Sequence, residues 1–586
     1  MKQFFKFMFA SMLGIFLTII ISLLIFIGII SSFSKKEVVK VEPNTILHIK
    51  LDKKIYDRAS KNPVDLFDIM KMNVNKNPGL NDILNNIEKA KNDNKIKGIF
   101  LDLSNIATGF ATIEEIRNQL IDFKKSGKFI ISYSDYYSQK SYYLATVADK
   151  IYLNPEGNID FKGLNAEILF LKGLLNKIDV DVQIVRHGKY KSAVEPFMLD
   201  KMSKANKEQT ITFVSTLWNQ MLKGISKSRN ISIKELNNIA DNLLIQNAND
   251  AIKYKFIDNK LYKDELFSEL RTKIGISNKA KLNFISLAKY TSAPNPIKKE
   301  FTRDRIAVIY ALGDIKSGKG NDQVIGSETI SKAIRKARLN KNVKAIVLRV
   351  NSPGGSALAS EIIWRELSLA RKVKPLVASF GDYAASGGYY ISCVTDTIIA
   401  SPNTITGSIG VFGIIPNFKN FFNNKLGVTF DNVKTNKNSG FISVNRPMTA
   451  YERSVVQKNI ENTYSTFVNH VSEGRNMSFK EVDNIGQGRV WAGADAKKIG
   501  LIDDFGGLNK AIDIAAEMAN IKNYRLLSLP VQKDPLTLIL EEMSGNSQNS
   551  MLKTKLGDNY KYLMYFENLM NLKGVQARLP FIINFN

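Results

Sequence analysis

The 586-residue chain predicts an α/β protein, built as two tandem α/β units from an internal duplication behind one N-terminal transmembrane helix. Three observations predict it. A charge-free apolar run lies near the start, apolar strand-like segments alternate with amphipathic helical ones, and the two halves match at a nearly constant spacing.

Residues 7–33 carry no charge, and as a helix these 27 residues would reach roughly 40 Å at about 1.5 Å per residue. A secretory hydrophobic core is much shorter, so residues 1–40 are read as an uncleaved membrane anchor. Lys2 and Lys6 precede the run while Lys35, Lys36 and Lys40 follow it, so loop charge assigns no orientation.

Beyond the anchor, the segment Gly98-Ile99-Phe100-Leu101-Asp102-Leu103 lies 247 positions before Ala345-Ile346-Val347-Leu348-Arg349-Val350. The same offset carries Tyr142-Tyr143-Leu144 onto Tyr389-Tyr390-Ile391, and Asn154-Pro155 onto Ser401-Pro402. Later, Arg229-Asn230 echoes Arg475-Asn476, and Phe256-Ile257-Asp258 echoes Leu501-Ile502-Asp503. Near-continuous apolar runs at 345–350 and 376–380 are of the buried parallel-strand type, and helical spacing covers 113–125, 329–339 and 361–371. The organisation expected is a first unit at 41–277, a linker at 278–303 marked by Pro294, Pro296 and clustered lysines, a second unit at 304–528, and a C-terminal extension at 529–586.

A net charge of +27, from 82 Lys+Arg against 55 Asp+Glu, would favour anionic headgroups at a membrane surface. The lysines are dispersed and no nucleic-acid motif is present, so nucleic acid is not an expected partner. The single cysteine, Cys393, excludes an intrachain disulfide, and Ile391 and Val394 beside it read as core. No P-loop or zinc-ligand spacing is present, so neither metal nor cofactor is expected.

The chemistry points to two loops, each following an apolar strand. One is Asn351-Ser352-Pro353-Gly354-Gly355; the other is Asp382-Tyr383-Ala384-Ala385-Ser386-Gly387-Gly388. An acyl-transfer serine needs backbone N–H groups aimed at the developing oxyanion, and glycine lets the chain approach a substrate closely. Ser386 is the candidate nucleophile, with Gly354, Gly355 and Gly387 able to supply donors. In the first half the position matching Ser386 is Gln139, and the glycine loop becomes Ser104-Asn105-Ile106-Ala107-Thr108, so that half has no nucleophile of its own. Serine also needs a base. His48 falls in an alternating strand and His470 in a helical stretch; His187 opens an unusual string that runs through Tyr190-Lys191-Ser192-Ala193-Val194-Glu195-Pro196-Phe197.

That string, with the two glycine loops, Arg489-Val490-Trp491-Ala492-Gly493 and Gly500-Leu501-Ile502-Asp503, resembles the signal peptide peptidase A family in its long, duplicated form, also called protease IV. The resemblance spans nearly the whole chain. It implies two tandem ClpP/crotonase-like α/β domains, and a serine endopeptidase with a Ser/Lys dyad that degrades remnant signal peptides. It further implies Lys191 as general base, Ser386 as nucleophile, Gly354 and Gly387 as oxyanion donors, and Gly355 and Ser408 in support. A homotetramer on the extracytoplasmic (periplasmic) side of the bacterial cytoplasmic membrane is implied as well.

Lysine has an ordinary pKa of about 10.4, so a lysine base requires surroundings that disfavour its cation by about 4 kcal/mol. Ala193, Val194, Pro196 and Phe197 are apolar neighbours of the right kind; Lys189 and Lys437 are the competing amines. Two other readings stay open at this level: a non-catalytic membrane-anchored assembly or binding protein, and an acyl-CoA enzyme on the same fold.

Overall fold

The computed structural model describes residues 2–34, 39–59, 79–297, 300–532 and 574–579. Most of the expected C-terminal extension, 533–573 and 580–586, lies outside the described residues.

Apolar runs buried on both faces become parallel strands, and parallel neighbours require crossover helices. The first half forms a six-stranded sheet in the spatial order Asn259–Lys260, Lys150–Ile159, Phe129–Tyr137, Ile96–Asp102, Thr45–Lys50, Asn283–Ser286, all pairs parallel. The second repeats it as Asp504–Phe505, Thr397–Ala400, Leu376–Ala385, Val343–Ser352, Arg305–Leu312, Arg525–Leu529. Helices match as well: Leu80–Asn92 and Ser327–Leu339 both have 13 residues, and Phe110–Lys124 and Ala357–Arg371 both have 15. The two 26-residue helices, Lys204–Arg229 and Ala450–Arg475, each end on a left-handed asparagine, Asn230 and Asn476. Each also ties its last arginine to an aspartate: Arg229 to Asp258 at 3.1 Å and Arg475 to Asp503 at 2.5 Å.

The expected linker begins too early. Within it, Asn283–Ser286 pairs with Thr45–Lys50 and helix Leu287–Thr291 buries Tyr290 in the first core, so the first unit continues past residue 277.

A third sheet joins the halves. Its order is Val324–Gly326, Asp314–Lys316, Gly354–Ser356, Gln576–Arg578, Phe412–Asn417, Asp181–Arg186. The last pairing is antiparallel over six residues and brings together a strand from each half, from Asp181 opposite Asn417 to Arg186 opposite Phe412. It fixes where the chain after Arg186 must go.

Buried ions hold the same interface. Arg349 is fully buried and reaches Asp57 and Glu115 of the first half, each at 2.6 Å, while Ser379 Oγ accepts from it at 2.9 Å. Asp382 accepts N–H groups from Gly109 and Thr112 at 3.2 and 2.9 Å, capping the helix Phe110–Lys124 from across the interface.

Helix Lys2–Ser34 carries the N-terminal apolar run, and among the described residues it is the one helix long and apolar enough to cross a membrane. Its described side chains are exposed, Phe7 and Ile15 among them, so the body supplies no cover for them.

Candidate active site

Ser386 stands at the corner where the strand Leu376–Ala385 meets the short helix Gly387–Ser392. The corner forces it into φ 55°, ψ −113°, a sparsely populated conformation for a residue with a Cβ. Its N–H donates to Gly407 O at 2.8 Å, which anchors the strained turn, and its side chain is buried. Gly387, as the first residue of the following helix, has an N–H with no intrahelical acceptor.

Lys191 arrives from the other half, on the loop that follows the crossing strand Asp181–Arg186. Its Nζ lies 2.9 Å from Ser386 Oγ, 3.0 Å from Ser408 Oγ and 3.2 Å from Ser408 O. The side chain is wholly buried, with Phe412's ring 5.9 Å from Nζ. Among the described residues no carboxylate bonds this amine, and burial alone holds it well below the ordinary lysine value of 10.5. A neutral amine has two N–H groups and one lone pair. Here both N–H groups can go to Ser408, leaving the lone pair to accept the Ser386 hydroxyl proton.

The lysine loop is fitted closely against the second half. Gly488 has φ +83°, and a Cβ there would come within 2.6 Å of Lys191 N. Opposite it, Gly188 has φ +100° and faces Gln487 O. Gln209 fastens the arrangement: its amide N–H groups donate to Tyr190 O at 3.0 Å and Ser192 Oγ at 2.8 Å, and its oxygen accepts from Val490 N at 3.1 Å. Glu195 closes the other side by accepting from Ser203 Oγ at 2.6 Å and Asn206 Nδ2 at 2.9 Å. Sequence reasoning missed Gln209 and Gly488. A fully buried glutamine on a mostly polar helix leaves no local signature, and Gly488 matters only through its contact with a residue nearly three hundred positions away.

The glycine floor is more specific than the sequence indicated. Gly354 has φ +99°, and a Cβ there would lie 2.1 Å from Ala577 O and 2.8 Å from Gly387 N. Its own N–H donates to Ser352 Oγ at 3.1 Å. In the antiparallel pairing with Gln576–Arg578, Ala357 N donates to Val575 O and Leu579 N to Pro353 O, which makes the intervening Gly355 and Ala577 a hydrogen-bonded pair. Gly355, rather than Gly354, therefore turns its N–H into the groove beside Gly387. Ser408 is buried with φ 50°, its N–H donating to Arg489 O at 2.7 Å.

The other candidates lie elsewhere. His48 meets Asp102 at 3.1 Å, His187 meets Glu461 at 2.5 Å and stacks on Tyr464, and His470 meets Glu361 at 2.9 Å against Trp364. Lys189 is exposed over Tyr190, and Lys437 is exposed in the segment 426–449. Cys393 is buried, and burial pushes its thiol up, away from reactivity. Among the described residues no cluster of three or more His, Cys, Asp or Glu side chains is placed to hold a metal ion.

A buried hydroxyl at a strained corner, beside a buried amine and inward-facing amides, has the parts of a serine acyl-transfer enzyme. Comparison with known proteins agrees. The family model for peptidase family S49 matches twice, at residues 122–277 and 368–522. Protease 4 of Salmonella typhi is 39% identical over 476 residues, covering 79% of this chain and 76% of that one. Protease 4 of Haemophilus influenzae is 38% identical, covering 75% and 73%. The chloroplastic serine protease SPPA of Arabidopsis thaliana is 31% identical, covering 88% and 76%. The chain belongs to peptidase family S49 and is a serine peptidase.

Proposed function

We propose that the protein is a membrane-anchored endopeptidase of Ser/Lys type that degrades hydrophobic remnant signal peptides. Ser386 Oγ attacks the peptide carbonyl while Lys191 takes its proton. The oxyanion is held by the amides of Gly387 and Gly355, with Gly354 forming the floor between them. Lys191 then returns the proton to the leaving amine, and water releases the acyl-enzyme. Ser408 orients the amine throughout. The observation that carries this reading is the 2.9 Å contact between Lys191 Nζ and Ser386 Oγ in a site from which water and carboxylates are absent among the described contacts.

The exposed apolar N-terminal helix supports a single-pass anchor, and the names of the relatives support the extracytoplasmic face and the substrate class. A tetramer follows from the same reading. By the duplication, residues 428–433 correspond to the crossing strand Asp181–Arg186, yet within the chain they form no strand and expose Val428, Phe430 and Val433. A neighbouring copy would cover them.

The test is hydrolysis of a defined hydrophobic peptide by the full chain in detergent. Ser386→Ala and Lys191→Arg should each lower kcat/KM by about 10⁴-fold or more, arginine being permanently charged. In the wild type kcat/KM should rise with pH through one ionisation lying below 10.5, because only the deprotonated amine accepts a proton. Turnover by Lys191→Arg within tenfold of wild type would remove lysine from the mechanism.

A further inference from the structure

The groove that holds the catalytic pair is occupied by the chain itself. Strand Gln576–Arg578 lies antiparallel to the glycine floor, with Gly354 opposite Arg578, Gly355 opposite Ala577 and Ser356 opposite Gln576, and its other edge meets Phe412. A segment gripped along both edges in extended form is how a protease groove holds a peptide. The register places one carbonyl at the oxyanion position. Ala577 O accepts from Gly355 N, and it would be 3.0 Å from a Cβ on Gly387, the residue next to the nucleophile. The side chain at that position is a methyl group, wholly buried; two residues on, Leu579 is also buried, and Arg578 between them turns outward to Asp314 at 3.1 Å.

We propose that this segment is a tethered substrate and that the protein cleaves its own Ala577–Arg578 bond, an inference that rests on the function proposed above. Ser386 Oγ bonds to the Ala577 carbonyl carbon as Lys191 Nζ takes the hydroxyl proton. The bond from that carbon to Arg578 N breaks, and the proton passes from Lys191 to the departing Arg578 amine. Water, deprotonated by Lys191, then splits the ester, leaving Ala577 as a carboxylate and Ser386 as a hydroxyl. Residues 578–586 leave as a nine-residue peptide, and the strand loses the Arg578–Asp314 ion pair that helps to hold it in the groove. Self-cleavage thereby clears the site for external peptides.

The test follows the intact mass of the full-length protein in detergent over time, with a hydrophobic peptide added to parallel samples. The wild type should lose residues 578–586, and Ser386→Ala should keep them. Ala577→Glu should slow the loss at least 100-fold, because a large charged side chain cannot enter the space of a buried methyl. Arg578→Pro gives an independent check. Residue 578 sits at a non-hydrogen-bonded position opposite Gly354, so proline removes no bond to the glycine strand, yet its tertiary amide resists attack; it too should keep full mass. A wild type that hydrolyses the added peptide while its own mass stays whole would overturn self-cleavage and leave the proposed function standing. A wild type that does neither would overturn both. Loss of mass at another bond, or in Ser386→Ala, would also overturn the inference.

Discussion

The two halves share a sheet order, helix lengths and capping asparagines, yet only the second holds a nucleophile. At the serine position the first half has Gln139, whose amide donates to Gly163 O at 2.9 Å and whose oxygen accepts from Lys162 N and Gly163 N at 2.9 and 3.0 Å. Gly163 is the counterpart of Gly410, whose carbonyl accepts from Ser386 Oγ at 3.4 Å. The loop contact is thus kept in both copies, but the longer amide fills the space that an amine would need. A cavity of about 730 Å³ still opens beside Gln139 and Lys140. Chemistry was lost there without loss of the scaffold. The comparison teaches that the fold supplies the corner, whereas the reaction requires a second chain segment to enter it.

Four measurements can break or sharpen that contrast. The largest effect concerns transplantation. In a Ser386→Ala background, Gln139→Ser should restore no peptide hydrolysis, leaving a deficit of about 10⁴-fold, because no buried amine reaches the first corner. Recovery to within 100-fold would show the halves to be chemically equivalent.

Next is the interface on which the composite site depends. Arg349→Met leaves Asp57 and Glu115 buried without their cation, so unfolding by denaturant should report a loss of about 3–5 kcal/mol. A loss below 1 kcal/mol would mean that the halves do not rely on this cluster.

Lys191 should oppose stability even as it serves the reaction. Its folded pKa lies below that of the unfolded chain, so between the two values the unfolded state binds the extra proton and stability rises with pH; below that window the penalty is fully present. Lys191→Met should therefore raise stability by up to about 2 kcal/mol at neutral pH and flatten this pH dependence, while abolishing turnover. An unchanged slope in thermal unfolding from neutral to alkaline pH would count against a neutral amine.

The smallest effect is at the silent corner. Gln139→Ala unpairs Lys162 N and Gly163 N, and should cost about 1–2 kcal/mol with kcat/KM for the peptide within about twofold of wild type.

Much of this was legible before any coordinates. The 247-residue offset revealed the duplication, since each repeat buries a comparable core and keeps the same apolar runs and caps. Ser386 and the glycine loops stood out because close backbone approach and strained turns restrict residue type locally. Lys191 was legible only through a resemblance, as one lysine among many carries no mark of its surroundings. Illegible were the true end of the first unit, the donor role of Gly355, Gln209's clamp and the C-terminal strand in the groove. Each depends on pairing between residues remote in sequence, which periodicity does not record.

By itself, then, the sequence determined two copies of one α/β unit, an apolar helix ahead of them, and a serine in one copy with none in the other. Those features follow from local pattern and side-chain chemistry. Only the tertiary structure decided that Lys191 meets Ser386 in the dry: the crossing strand Asp181–Arg186 must pair with Phe412–Asn417 before the loop behind it is enclosed. An amine's protonation depends on what excludes water around it, and that exclusion exists only once both halves are packed.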